Sequence, residues 1–363
     1  MTEAGTFARP GLDLRAVPGL VLSELDRGGR GVLVLAVDGL SWQVARRVWR
    51  SAELSCLAST FPSTSATAWL TSVTGAPVTG HLTVGAAYRE RAGGPLVNAI
   101  TGDVLAGEAA PREPVRPLPT VFERAEGAEA VVVGRELDLL SGPWVDALTR
   151  GAARQPAREA LTRDPYRLVA GVAADVGAAI GARRTRPLLL WVYVNLDDHL
   201  HRHGYDERAV GALAELERHA AAWARRGWHV LAYADHGLVP VASDPGLARR
   251  WAEVDTPELC ELPGGGAGRV RWLYPHPGRE REVAERLAEA LDGHAMVLPA
   301  TALGELGLME SAGPVRERLG AVMAIATSPR FPLPDPGLSY EHGAISDGET
   351  LVPLARWVRS SRA

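Results

Sequence analysis

Gly31-Val-Leu-Val-Leu-Ala-Val37, followed at once by Asp38 and Gly39, is an unbroken apolar run with no polar alternation. A strand with one wet face alternates, whereas a strand covered on both faces does not. The run therefore predicts a central strand of a parallel sheet with helices on both sides, and an acid where the chain leaves it. Pro187–Val194 (Pro-Leu-Leu-Leu-Trp-Val-Tyr-Val) has the same form and runs on to Asp197. His229–Ala234 is a third such run, ending at Asp235, and Ala130–Val133 a fourth. Between them lie helical patterns such as Arg208–Arg225, so the chain reads as successive βαβ units. The expected fold class is α/β: a central, mainly parallel sheet flanked by helices, with a smaller α+β insertion.

Further outward, Val270–Tyr274, His294–Leu298 and Gly320–Ala326 read as later strands, with Glu280–Leu291 a helix between them. The stretch from Gly93 to Pro119 lacks a period and reads as a long connection, and Pro263–Gly268 as a flexible glycine loop. The domain boundaries expected are an N-terminal extension over 1–30, a catalytic core from 31–237 and 337–363, and an insertion or cap over 238–336.

The chain has 363 residues, 46% hydrophobic and 23% charged, with a net charge of −4. That length is long enough for a substantial core, and the near-average composition excludes a collagen, a coiled coil or a disordered chain. The slight acidity gives no sign of a nucleic-acid surface. No apolar run approaches the roughly 18 residues of a membrane span, and the first residues do not form a secretory signal. Cys56 and Cys260 provide no disulfide framework and read as small core residues, so the expected compartment is the cytoplasm. All 39 basic residues are arginine. Chemistry that needs a Schiff-base or P-loop lysine is excluded.

Open α/β sheets place their sites where strands end. Asp38, the pair Asp197 and His201, and the pair Asp235 and His236 all follow predicted strands, and Glu341-His342-Gly343 lies near the C-terminus. Carboxylates with imidazoles are the donors of zinc and similar divalent ions. The segment Phe61-Pro-Ser-Thr-Ser65-Ala-Thr brings hydroxyls to the start of a helical pattern, where free N–H groups and the dipole favour anions. A metal-held hydroxyl there would be a nucleophile near neutral pH.

Taken in order, Val-Asp-Gly (37–39), Phe-Pro-Ser-Thr-Ser (61–65), Thr-Gly (74–75) with His81, Asp-x-x-x-His-x-x-Gly (197–204), Asp-His-Gly (235–237) and His-Gly (342–343) resemble the alkaline phosphatase superfamily. The resemblance is nearest to its nucleotide pyrophosphatase/phosphodiesterase branch and spans about residues 31 to 355. It implies two divalent metal ions, zinc first, with manganese or another divalent ion as alternatives. Asp38, Asp235 and His236 would hold one ion together with the nucleophile, and Asp197, His201 and His342 the other. The nucleophile lies three residues after the family's Pro and nine before its Thr-Gly, and from Pro62 and from Thr74 both counts arrive at Ser65. The implied activity is two-metal hydrolysis of a phosphate ester or anhydride, of phosphodiesterase or nucleotide pyrophosphatase type, through a covalent phospho- or nucleotidyl-serine. The implied partner is a small phosphate ester or nucleotide-like substrate.

The sequence departs from that branch where an Asn, five residues after its His, helps to hold a phosphate oxygen. Counted from His81, that position is Ala86, which leaves the backbone N–H of Ala66 as a phosphate contact. A phosphomonoesterase or phosphonate hydrolase of the same superfamily, or a decayed phosphoryl-ligand binding protein, are the alternatives. Asp198, His199 and His203 fit flanking positions better than ligand positions, and Ser63 and Thr64 fit helix caps better than nucleophiles. His81 reads as a packed residue and His276 as an exposed loop residue, and Arg89, Arg269 and Arg271 could bind a second phosphate or a carboxylate, with surface charge the default for each. Glu341, adjacent in sequence to His342, could orient that imidazole, but in an extended segment it reads as pointing away from it.

Overall fold

The computed structural model describes residues 11–108, 115–158, 162–331 and 337–358. Its centre is a seven-stranded sheet in the spatial order Glu53–Ala58, Leu351–Trp357, His229–Ala234, Gly31–Val37, Leu188–Val194, Glu129–Val133, Ala153–Gln155. Gly31–Val37 runs parallel to both its neighbours, and all seven of its residues are buried. Leu351–Trp357 is antiparallel to the strands on either side. The sheet is therefore mainly parallel, as the apolar runs predict. Its largest crossover helices, Pro165–Gly181 and Glu207–Arg225, present Leu168, Val172, Leu213 and Leu216 to the core.

A second seven-stranded sheet is antiparallel throughout, in the order Ala295–Pro299, Val322–Ala326, Val270–Pro275, Cys260–Ala267, Ala87–Arg89, Leu96–Asn98, Val104–Ala106. It has its own core, built on Trp272, Leu273, Met323 and Ile325, with Leu247 and Leu287 packed on it from helices Pro245–Ala252 and Glu280–Ala290. No helix among the described residues is long and apolar enough to cross a membrane.

Three expectations are corrected. Pro263–Gly268 is not a loop: residues 263–267 belong to the strand Cys260–Ala267. The missing side chains let Trp272 of the next strand lie across it, since a Cβ at Gly265 would stand 2.6 Å from Trp272 Nε1. The stretch from Gly93 to Pro119 contributes Leu96–Asn98 and Val104–Ala106 to this sheet, too short to show a period; its residues 109–114 lie outside the described residues. Residues 1–10 of the expected extension and 332–336 of the expected cap also lie outside them. Cys260 is buried, but Cys56 is only half-buried, because its strand forms an edge of the central sheet.

Candidate metal centre

The segments that carry Asp38, Ser65, Asp197, His201, Asp235, His236 and His342 converge beyond the strand ends of the central sheet. Asp38 follows Gly31–Val37, Asp235 and His236 follow His229–Ala234, and Asp197 opens the helix Asp197–His203 just beyond Leu188–Val194. Ser65 is the first residue of the helix Ser65–Thr74. His342 follows the short strand Tyr340–Glu341, which pairs with Val239–Pro240. The approach is close because residue 39 has no side chain: at φ +80° a Cβ on Gly39 would lie 2.8 Å from Asp197 Oδ1. Gly204 plays the same part for the second imidazole pair. A Cβ there would strike the ring of Tyr340, whose carbonyl accepts the Nδ1–H of His201 at 2.9 Å.

Two groups of donors result, Asp38 with Asp235 and His236, and Asp197 with His201 and His342, each with ligand atoms within 4.8 Å of one another. In the first, Ser65 Oγ lies 3.3 Å from Asp38 Oδ1 and 3.1 Å from His236 Nε2. His236 Nε2 lies 3.5 Å from Asp38 Oδ1 and 3.2 Å from Asp235 Oδ2. Tetrahedral zinc with bonds of about 2.0–2.1 Å sets its ligand atoms about 3.3 Å apart. The four separations just given, 3.1–3.5 Å, match that spacing.

In the second group His201 Nε2 is 2.9 Å from Asp197 Oδ2, on successive turns of one helix. His342 donates from Nδ1 to the carbonyl of Ser63 at 2.8 Å. With Nδ1 of both His201 and His342 bound to carbonyls, Nε2 is the ring nitrogen each would offer to a metal ion in place of a proton. The His236 and His342 rings stack at 3.6 Å and bring the two groups together.

Electrostatics point the same way. Burial, with the neighbouring Asp235 and Asp197, holds the Asp38 carboxyl well above the usual carboxylate range. Burial and Asp197 push Asp235 up to about 7. Burial opposes a charge on His201 too, but the Asp197 carboxylate overcomes it and raises His201 to about 10. Asp197 is itself held low by His201 against the cost of burial. Asp197 Oδ1 and Asp235 Oδ2 accept no hydrogen bond. Three crowded carboxylates, two of them with an unfilled oxygen, form a site that a divalent cation neutralises, so the residues present fit such an ion.

Several residues take places the sequence reading does not give them. Tyr193, not singled out there, donates its hydroxyl to Asp38 Oδ2, and its ring meets Trp69 edge-on at 5.6 Å. Its only signal was a polar-tipped aromatic near the end of a buried strand. Glu341 does not point away: its Oε1 lies 3.8 Å from His201 Nδ1 and 3.7 Å from His342 Nε2. A hairpin turn at Gly268 folds back over it, and extended-strand geometry cannot anticipate that.

Ser63 does not cap the helix. Its hydroxyl donates to Ala344 O and accepts from Gly343 N–H, latching the nucleophile segment to the His342 loop. Thr64 is the N-cap residue but makes no side-chain cap bond. Ala66 is buried in the first helical turn, and its carbonyl accepts from Trp144. His199 pairs with Asp206 at 3.0 Å, outside both donor groups. His81 is buried between Thr71 and the N–H of Thr83, and half-buried His276 bonds to Pro257 O. Of the three arginines, Arg269 is not at the surface but paired with buried Glu349 at 3.0 Å.

No protein-family model matches the sequence, and comparison with curated proteins finds no match. Solved structures do resemble it. Murine ectonucleotide pyrophosphatase/phosphodiesterase 5 superposes with a TM-score of 0.63 at 16% identity, over 89% of this chain and 87% of that one. The same mouse protein as an inactive variant in complex with AMP gives the same values. Phosphonoacetate hydrolase from Sinorhizobium meliloti 1021, in complex with phosphonoformate, gives 0.59 at 15% identity over 90% of this chain and 89% of that one. The fold of this chain is thus the alkaline phosphatase-like fold of those proteins.

Proposed function

We propose that the chain is a metal-dependent phosphoric ester hydrolase in which Ser65 is the nucleophile. The observation that carries this reading is the meeting of Ser65 Oγ with Asp38 Oδ1 at 3.3 Å and with His236 Nε2 at 3.1 Å, where His236 Nε2 in turn lies 3.2 Å from Asp235 Oδ2. A serine that only capped its helix would have no use for three buried ligand-type neighbours. Asp38, Asp235, His236 and Ser65 would hold one divalent ion, and Asp197, His201 and His342 the other. Bound there, such ions supply Lewis acidity, which favours the ionised serine and offsets charge on the phosphoryl oxygens.

The chain's own residues supply position. The helix Ser65–Thr74 directs its free N–H groups, Ala66 among them, toward an anion beside Ser65 Oγ. Tyr193 fixes the Asp38 carboxylate, and the Ser63 latch keeps the serine segment beside His342. Ser65 Oγ bonds to phosphorus as the bond to the leaving oxygen breaks, and water then cleaves the phosphoserine. Residues 238–331, with the strands between 87 and 106, form a cap that sets which substituent is accepted. A phosphonate hydrolase is the second reading, supported by the resemblance to phosphonoacetate hydrolase and by alanine at position 86.

The test is turnover of p-nitrophenyl phosphate, p-nitrophenyl thymidine monophosphate and phosphonoacetate by zinc-loaded protein, wild type against Ser65→Ala. Turnover of either nitrophenyl ester that falls by at least 10³-fold in Ser65→Ala is the expected result, on the scale of losing a nucleophile. Which ester is preferred assigns diesterase or phosphatase, and cleavage of phosphonoacetate alone selects the second reading. Full activity in Ser65→Ala overturns the proposal.

A further inference from the structure

Three arginines lie on the antiparallel sheet or at its turn, and their surroundings differ. Arg89 bonds to Glu261 at 2.5 Å and stacks on Tyr274. Arg269 is spent on Glu349 and the carbonyl of Ser328. The side chain of Arg271 makes no hydrogen bond or ion pair among the described residues, and its guanidinium rests over the ring of Trp251, 5.2 Å from the centroid. Trp251 is itself held by Asp255, which accepts its indole N–H at 3.2 Å, and by the edge of Phe331.

Arg271 is also close to the metal centre. The backbone N–H of Arg269, two residues earlier in the chain, donates to His342 O at 2.9 Å, and Glu341, whose Oε1 lies 3.7 Å from His342 Nε2, is one of the two carboxylates that act on the Arg271 charge. The side chain is half-buried, and none of its unbonded nitrogens is sealed from solvent. Burial disfavours its charge, while the carboxylates of Asp255 and Glu341 favour it. A guanidinium stays charged in such surroundings. It thus presents unfilled planar donors, aligned by a tryptophan, beside a centre built for phosphoryl groups.

We propose that Arg271 binds a second anionic group on the substrate, a carboxylate or a further phosphoryl, while the first phosphoryl sits at the metal centre. This rests on the phosphoester reading above. It narrows the substrate class to doubly anionic compounds, because planar N–H pairs match carboxylate and phosphate oxygens.

Calorimetric binding to zinc-loaded protein tests it with three uncleaved probes: methylphosphonate, with one anionic group, and methylenediphosphonate and 3-phosphonopropionate, with two. Wild type should bind at least one two-anion probe tenfold or more tighter than methylphosphonate. Arg271→Met and Arg271→Gln should abolish that difference, and Arg271→Lys should keep part of it. The tighter of the two probes distinguishes phosphoryl from carboxylate. Equal binding of all three probes, no binding of either two-anion probe, or an advantage that survives both substitutions overturns the proposal. A preserved advantage in protein that turns over neither nitrophenyl ester nor phosphonoacetate removes the hydrolase reading and leaves the anion site standing. Ester turnover without the advantage does the reverse.

Discussion

At the scale of single residues, the site works by denying its side chains other partners. Asp197 Oδ1 and Asp235 Oδ2 are buried without donors, and Ser65 Oγ meets only ligand-type atoms. His81 is the contrast, a buried imidazole fully used by Thr71 and the N–H of Thr83. Because its Nδ1 accepts from Thr83, the proton sits on Nε2 and the ring is neutral. Burial, with Arg318 nearby, lowers its pKa to about 3. An unfolded histidine titrates near 6.5, so this stabilisation is present above pH 6.5 and is lost as pH falls toward 3. Urea unfolding at pH 7 and pH 5 should show a loss of about 2 kcal/mol in wild type, from about 1.4 kcal/mol per pH unit. His81→Gln, with an uncharged amide, should lack that part of the slope, and an identical slope in both proteins would remove His81 as its source.

At the scale of elements, the centre depends on loops tied to one another more than on any one strand. Ser63 joins the serine segment to Gly343 and Ala344, Tyr205 accepts from the N–H groups of Ser41 and Leu238, and Arg269 anchors the second sheet to Glu349. Glu349 also accepts from Ala344 N–H and from the Ser346 hydroxyl in a capping box, so one buried carboxylate holds the chain just after His342. Arg269→Met leaves that charge without its cation at 0% exposure. Breaking a buried pair in this way costs about 3–5 kcal/mol, read as a shift of the urea midpoint. The same variant should bind zinc more weakly in the His342 group than in the Asp38 group, measured by competition with a chromogenic chelator.

At the scale of the whole molecule, a mainly parallel sheet gathers the strand ends, and an antiparallel sheet is tied to the same region through the Arg269 N–H bond to His342 O and the Arg269–Glu349 pair. Seven ligand-type side chains from distant parts of the sequence then share one edge. Part of the stability at neutral pH should come from the bound cations. Two zinc ions per chain are expected by elemental analysis. Chelation should lower the melting temperature, each site contributing about 2.7 kcal/mol when zinc is at a hundredfold its dissociation constant. Unchanged melting after complete metal removal would mean the two donor groups do not hold metal in the folded protein.

The sequence by itself determined the parallel sheet, because strands buried on both faces must be continuously apolar and Gly31–Val37, Leu188–Val194 and His229–Ala234 are. It also placed the acids and imidazoles at strand ends, since a motif and its strand are neighbours in the chain. Short-range pattern could not reach what depends on contacts between remote segments. The glycine-rich strand over 260–267 is legible only once Trp272 lies across it. Tyr193 matters only because Asp38 stands opposite its hydroxyl, and Glu341 only because the Gly268 turn folds over it. Arg89, Arg269 and Arg271 look alike in sequence, and only tertiary structure pairs two of them with carboxylates and leaves the third over a tryptophan. The physical reason is common to all of these: burial and periodicity are written locally, whereas the partner of a charge or a hydroxyl is fixed by how distant elements pack.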